Sequence, residues 1–303
     1  MLTKAQRLQM LACPAGPVDL VLDTDTYNEI DDQFALSYAL FAEEKLRLKA
    51  VYAAPFHNER SDGPGDGMEK SYQEIQKLFE LAGRRAPSFR GSARYLPDEK
   101  TPVASPAAED LCQRAMAYSP EKPLYVVAIG AITNVASALL MRPEIADRMV
   151  VVWLGGNALH WPDNREFNCF QDVAAARAVV LSGVPLVLLP CMGVVSAFYT
   201  TGPELAHWLQ GKNALCDYLC RNTIAAAEEY AAGRVWSRVI WDVTAIGWLM
   251  NEKGTLMQDT LLPTPLPGYD HHYEEKLGLP LCRYVYHVHR DALFQDLFDH
   301  IAQ

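Results

Sequence analysis

Apolar runs that end in turn residues alternate with stretches of helical periodicity along all 303 residues. At their carboxyl ends the runs give way to clustered polar side chains. These two observations predict an α/β fold with a mainly parallel, open sheet flanked by helices. A chain this long buries about three quarters of its unfolded surface. No repeat, low-complexity tract or long linker divides it, so residues 1–303 read as one catalytic domain that needs neither disulfide nor structural metal to hold its core.

The first strand, Val18 to Leu22, is a short apolar run closed by aspartates, and a helix over Asp31 to Ala42 follows it. A second strand, Leu46 to Ala53, precedes a helix over Gly67 to Ala82. A helix over Ala107 to Tyr118 leads into the strand Leu124 to Ile129, and one over Asn134 to Met141 into the strand Met149 to Leu154. The unit recurs with a helix over Asp172 to Leu181 and a strand at Pro185 to Leu189. Helices over Lys212 to Ala232 and Trp241 to Met250, a strand near Arg283 to Val288 and a helix over Asp291 to Ile301 complete the order. Leu261 to Gly268, rich in proline and glycine, and then Tyr269 to Leu279 read as an irregular excursion before the last strand.

The formal net charge is −10, and the 27 basic residues form no run or stripe that would neutralise a phosphate backbone, which excludes nucleic acid as a partner. Seven cysteines, an odd number without a CxxC pair, read as free thiols in a reducing compartment. The apolar piece between Lys4, Arg7 and Cys13 is short and interrupted by Gln9, unlike a signal segment, and no window is long and apolar enough to span a membrane. A cytoplasmic protein is expected.

In open α/β sheets ligands bind beyond the carboxyl ends of the strands. Here those positions hold Asp23, Asp25, Asp31 and Asp32 after the first strand, His57 and Asn58 after the second, Gly130 after the third, and Gly155, Gly156 and Asn157 after the fourth. In VLDTDTYNEIDDQFAL, Asp23, Asp25, Glu29, Asp31 and Asp32 crowd into ten residues. Such carboxylates repel one another and in a folded site share protons or bind a cation, and hard oxygen ligands suit Ca²⁺ or Mg²⁺. The alternatives are a solvated acidic loop with Asp31 or Asp32 capping the helix, or the DxDx[TV] opening of a haloacid-dehalogenase-like phosphohydrolase. In that second case Asp23 is the nucleophile, Asp25 the acid/base and Mg²⁺ the cofactor. The later acidic pair that such an enzyme needs is not found.

Five segments, in order and in register, resemble the inosine-uridine preferring nucleoside hydrolases. The acidic loop resembles that family's DTDxGxDD loop, and AIGAITNVASALL (Ala128 to Leu140) its TGPLTNIA segment. VVWLGGN (Val151 to Asn157) resembles its strand ending in paired glycines, REFNCFQDVAAARAV (Arg165 to Val179) its EFN and D-x-A-A helix, and WDVTAI (Trp241 to Ile246) its HDPLA. The resemblance implies a nucleoside hydrolase-like fold and metal-dependent hydrolysis of a ribonucleoside to ribose and free base, with a small-molecule nucleoside as substrate and a homo-oligomeric assembly. It also implies a Ca²⁺ held by Asp25, Asp32, Asp242 and the carbonyl of Ile129. Asp31, Glu166 and Asn168 would hold the sugar hydroxyls, with Asn58 as a further polar group of the site.

The chemistry agrees. Cleavage of a ribosidic C–N bond passes through an oxocarbenium-like state, so negative charge beside the sugar and a metal-activated water both lower the barrier. Asp25 is the candidate base. Two departures bear on substrate choice. Five residues, TYNEI, separate Asp25 from Asp31 where the family has three, so the loop must bulge and Asn28 and Glu29 enter the site or stabilise the turn. Trp241 stands where many purine-active relatives carry a histidine, so a proton donor is missing there. His160 and His57 are the replacement donors to test, against the simpler reading of solvent-exposed histidines. Tyr230, Trp236 and Trp241, with Arg234 and Arg238 nearby, either stack on a base or pack in the core. A noncatalytic Ca²⁺-dependent nucleoside or sugar binder is the remaining alternative.

Overall fold

A computed structural model describes residues 2–303. In chain order the elements are α1 (Lys4–Met10), β1 (Val18–Thr24), α2 (Asp31–Phe41), β2 (Leu46–Ala53), α3 (Pro64–Ala82), β3 (Ser88–Arg90), α4 (Pro106–Ala115), β4 (Leu124–Ala128), α5 (Thr133–Met141), β5 (Met149–Leu154), α6 (Phe167–Gln171), α7 (Val173–Ser182) and β6 (Leu186–Leu189). They continue with β7 (Tyr199–Thr200), α8 (Gly202–Leu209), α9 (Ala214–Ala231), β8 (Arg238–Val239), α10 (Val243–Met250), β9 (Met257–Pro263), β10 (Leu266–Pro267), β11 (Tyr273–Glu274), β12 (Leu281–Val288) and α11 (Arg290–Ile301).

Eight strands form one sheet in the order β3-β2-β1-β4-β5-β6-β12-β9. All neighbours run parallel except β12 and β9, which pair antiparallel. Successive strand residues feed two apolar layers. Leu20, Leu22, Val127 and Val152 pack with α2, α3, α9, α10 and α11, while Val21, Val126 and Val151 pack with α4, α5 and α7. Both faces are therefore covered, which is why the central strands read as continuous apolar runs rather than alternating ones. The direction of winding reverses between β1 and β4, and a crevice opens where the two strands end. Asp25 follows β1 and Ile129 follows β4, and the Ile129 N–H donates to the Asp23 carbonyl at 2.8 Å, locking the two ends together.

The excursion expected from Leu261 is corrected in its first part: Leu261 to Pro263 close β9, which pairs with β12 along its length. This edge strand is half exposed and ends in proline, so it carries no continuous apolar run, and its closing proline reads as part of a loop. Further elements had no expectation, among them the short α6, β7 and β8. β3 is only three residues long, α8 begins at a Gly-Pro pair, and α1 has a capping box between Thr3 and Gln6 in place of strong periodicity.

Candidate active site

The carboxylates arrive from three directions. Asp25 leaves the end of β1, Asp31 and Asp32 open the first turn of α2, and Asp242 sits at the N-cap position of α10. The acids thus sit at the N-termini of α2 and α10, where the positive ends of the helix dipoles offset part of the negative charge. Gly130 completes the approach, because a Cβ there would lie 3.0 Å from the Asp25 carboxyl carbon. The four acids are all buried, and Asp31, Asp32 and Asp242 bring ligand atoms within 4.8 Å of one another.

Burial pushes the Asp25 carboxyl well above its ordinary range, and repulsion from Asp32 and Asp31 adds to the shift. Asp242 rises for the same reasons, and Asp31 rises by burial with Arg238 partly opposing it. Asp32 is pushed up to about 8 by burial and by Asp31, although its Oδ1 accepts a hydrogen bond from the Thr24 hydroxyl. Both oxygens of Asp25 are buried without a hydrogen-bond partner. Buried charges of one sign are costly unless an opposite charge joins them. Hard, anionic, unsatisfied oxygens fit a divalent cation.

A pocket of about 220 Å³ is lined by Asp25, Asp31, Asp32, Ile129, Glu166, Asn168, Trp241 and Asp242, which unites most of the candidate site residues. Asn58, His160 and His57 lie outside the lining. Asn58 donates from Nδ2 to Asn28 Oδ1 at 2.7 Å and reaches the pocket only through that residue, which does line it. His160 is exposed beside Gly193, and His57 is exposed as well. Tyr230 is 84% exposed on an adjoining surface cavity that shares Asn28 and Glu29 with the pocket, and the Trp236 ring packs against Gly202. Trp241 alone of that aromatic set faces the pocket.

Glu166 accepts from the backbone N–H groups of Gly156, Asn168 and Cys169 at 2.8 to 2.9 Å, so its carboxylate caps α6 and ties it to the loop after β5. Asn168 donates from Nδ2 to the carbonyls of Ile129 and Leu154, each at 3.1 Å. Any ligand contact by Asn168 must then use Oδ1, and the Ile129 carbonyl keeps a second lone pair. Asn28 and Glu29 of the extended loop both line the pocket, and Glu29 is held by Arg238. Arg165, Phe167, Cys191 and Met192 also line it and were not anticipated. Cys191 and Met192 follow β6, so the strand-end rule, applied to one more strand, would have found them.

Asp23, the nucleophile of the phosphohydrolase reading, does not line the pocket. It accepts from Asn134 Nδ2 at 2.8 Å and is pushed up to about 7 by burial. That reading therefore loses its reacting group.

An open parallel sheet with a buried carboxylate cluster at its switch point defines a cation-using α/β enzyme. Residues 20–266 match the family described as inosine-uridine preferring nucleoside hydrolase. The non-specific ribonucleoside hydrolase RihC of Salmonella schwarzengrund (strain CVM19633) is 26% identical over 271 residues, covering 84% of this chain and 85% of the relative. The solved purine-preferring ribonucleoside hydrolase from Gardnerella vaginalis has a TM-score of 0.75 at 18% identity, covering 94% of this chain and 98% of that one. A plant nucleoside hydrolase, the PpNRh1 enzyme, has a TM-score of 0.74 at 18% identity, covering 94% and 99% respectively. The chain belongs to the inosine-uridine preferring nucleoside hydrolase family. It is an N-ribosyl hydrolase that cleaves ribonucleosides, and the family is metal-dependent.

Proposed function

We propose that the pocket holds one Ca²⁺ and hydrolyses the ribosidic C–N bond with Asp25 as the base. The observation that carries this reading is Asp25 itself, whose two buried oxygens have no hydrogen-bond partner beside three further buried acids. Asp25, Asp32, Asp242 and the Ile129 carbonyl would hold the ion, a mixture of carboxylate and neutral carbonyl oxygens of the kind Ca²⁺ accepts. The cation, when bound, cancels the repulsion among the acids and polarises a water for attack. Asp31 and Asn168 then meet sugar hydroxyls and Asp25 takes the proton of the attacking water. The carboxylates face the positive charge that develops on the sugar. Glu166 fixes the loop that shapes this end of the pocket, Asn58 braces Asn28, and Trp241 offers a face to the base.

A panel of ribonucleosides assayed together for free base and reducing sugar tests the reaction and reveals the preferred base. Elemental analysis should find one calcium per chain, with anomalous density at the acidic loop. Zinc on cysteine ligands, or no ion at that loop in a calcium-saturated crystal, would defeat the assignment. All seven cysteines are free, which supports a reducing, cytoplasmic setting. Among the described residues no helix is long and apolar enough to cross a membrane. A homo-oligomer is proposed on the family resemblance, and light scattering at micromolar concentration checks it.

No histidine lines the pocket, so no imidazole stands ready to protonate the departing base. Rates across ribosides with leaving groups of graded pKa should therefore fall steeply as that pKa rises. His57→Ala and His160→Ala should each retain most activity toward natural nucleosides. If either variant lost nucleoside cleavage yet kept an activated aryl riboside as substrate, that histidine would be the acid.

A further inference from the structure

The pocket has a floor and a rim of different chemistry. Asp25, Asp31, Asp32 and Asp242 form the floor, each no more than 4% exposed. The lining residues that reach solvent are Glu29, Arg165, Phe167, Met192 and Trp241. Acids and a cation at the floor suit sugar hydroxyls, whereas a planar, partly apolar base suits a rim of Phe167, Met192 and Trp241. Arg165 is the one basic residue of the lining. Among the described residues no acid or hydrogen-bond acceptor engages its guanidinium, whereas the rim's other charge, Glu29, is bound by Arg238.

The stem that carries Arg165 is held firmly. Its own N–H donates to Asp163 Oδ1 at 2.9 Å, Asn164 Oδ1 accepts from the Asn157 N–H at 2.7 Å, and Glu166 is bound by three backbone N–H groups. An unpaired cation on a fixed backbone, at the end of the pocket where the base must lie, is placed to meet charge that appears there late in the reaction.

We propose that Arg165 is a catalytic residue that stabilises the departing nucleobase as an anion. This rests on the reading of the pocket as an N-ribosidic site. As the C1′–N bond breaks, its electron pair passes to the base nitrogen. The water oxygen bonds to C1′, and the water proton goes to Asp25. The base leaves as an anion hydrogen-bonded to the guanidinium and takes a proton from solvent, and Asp25 returns its own proton to solvent. Arginine stays protonated at every working pH, so it acts here as a charge-assisted hydrogen-bond donor rather than as an acid. It supplies what the missing histidine would otherwise provide, without a proton transfer.

The test compares wild type, Arg165→Ala and Arg165→Lys at saturating Ca²⁺ across ribosides of graded leaving-group pKa. Arg165→Ala should lose about 100-fold in kcat on natural nucleosides, the usual effect of removing one donor to a developing anion. The loss should shrink at least about tenfold on an activated aryl riboside, which steepens the leaving-group dependence. Arg165→Lys should recover part of the loss, and calcium stoichiometry should stay at the wild-type value. An equal loss on every substrate, which a binding or structural role would give, overturns the proposal, and so does no loss. Absence of riboside cleavage by the wild type would instead overturn the underlying reading of the site.

Discussion

Asp25→Asn is expected to lower kcat by at least about 100-fold, roughly 2.7 kcal/mol of transition-state stabilisation, in enzyme saturated with Ca²⁺. The amide keeps the shape of the side chain and still offers one oxygen, but it cannot take a proton from water. The fold should survive. Asp25 makes no hydrogen bond that the change would break, and burial together with repulsion from Asp32 and Asp31 already disfavours its charge. Removing that charge should leave the calcium-free protein at least as stable as the wild type. Steady-state kinetics at several Ca²⁺ concentrations, beside thermal melts, separate lost base catalysis from lost metal affinity. Near-normal turnover in the metal-replete variant would reject the role of base.

The second large effect is the coupling of metal, protons and stability. In the folded protein Asp32 is raised to about 8, Asp25, Asp31 and Asp242 are also raised, and burial is the first cause in each case. Unfolded aspartates titrate near 3.9. The folded state without metal therefore binds more protons at these four acids than the unfolded state between these values, so the stability that they contribute is fully present below about pH 4 and is lost as pH rises through about 8. Calcium reverses this by replacing the protons. At 1,000 times its Kd an ion that binds only the folded state stabilises by about 4 kcal/mol. Chelation at pH 8 should thus abolish activity and lower Tm by roughly 5 to 10 °C, with a much smaller shift at pH 5. Calcium binding near pH 7 should release protons, which calorimetry in buffers of different ionisation enthalpy detects. Equal calcium effects on Tm at pH 5 and pH 8 would show that these carboxylates are not the ligands.

The parallel sheet was legible in the residues alone, because β4, β5, β6 and nearly all of β1 are buried on both faces and must be written as apolar runs, as must the second half of β2. So was the acidic loop, since Asp25, Asp31 and Asp32 crowd into one strand-to-helix connection and need no distant partner to be noticed. The edge strand β9 escaped because half-exposed pairing leaves no periodic signature. Tertiary structure alone decided which polar residues converge. Asp242 lies more than two hundred residues from Asp32, and only the packing of α10 against α2 brings their carboxylates together. Distance in space likewise removed His57 and His160 from the lining and put Arg165 there. A histidine or arginine in a loop carries no local pattern that tells where its side chain points, whereas the charge and burial around it, which set its chemistry, exist only once the loops have docked.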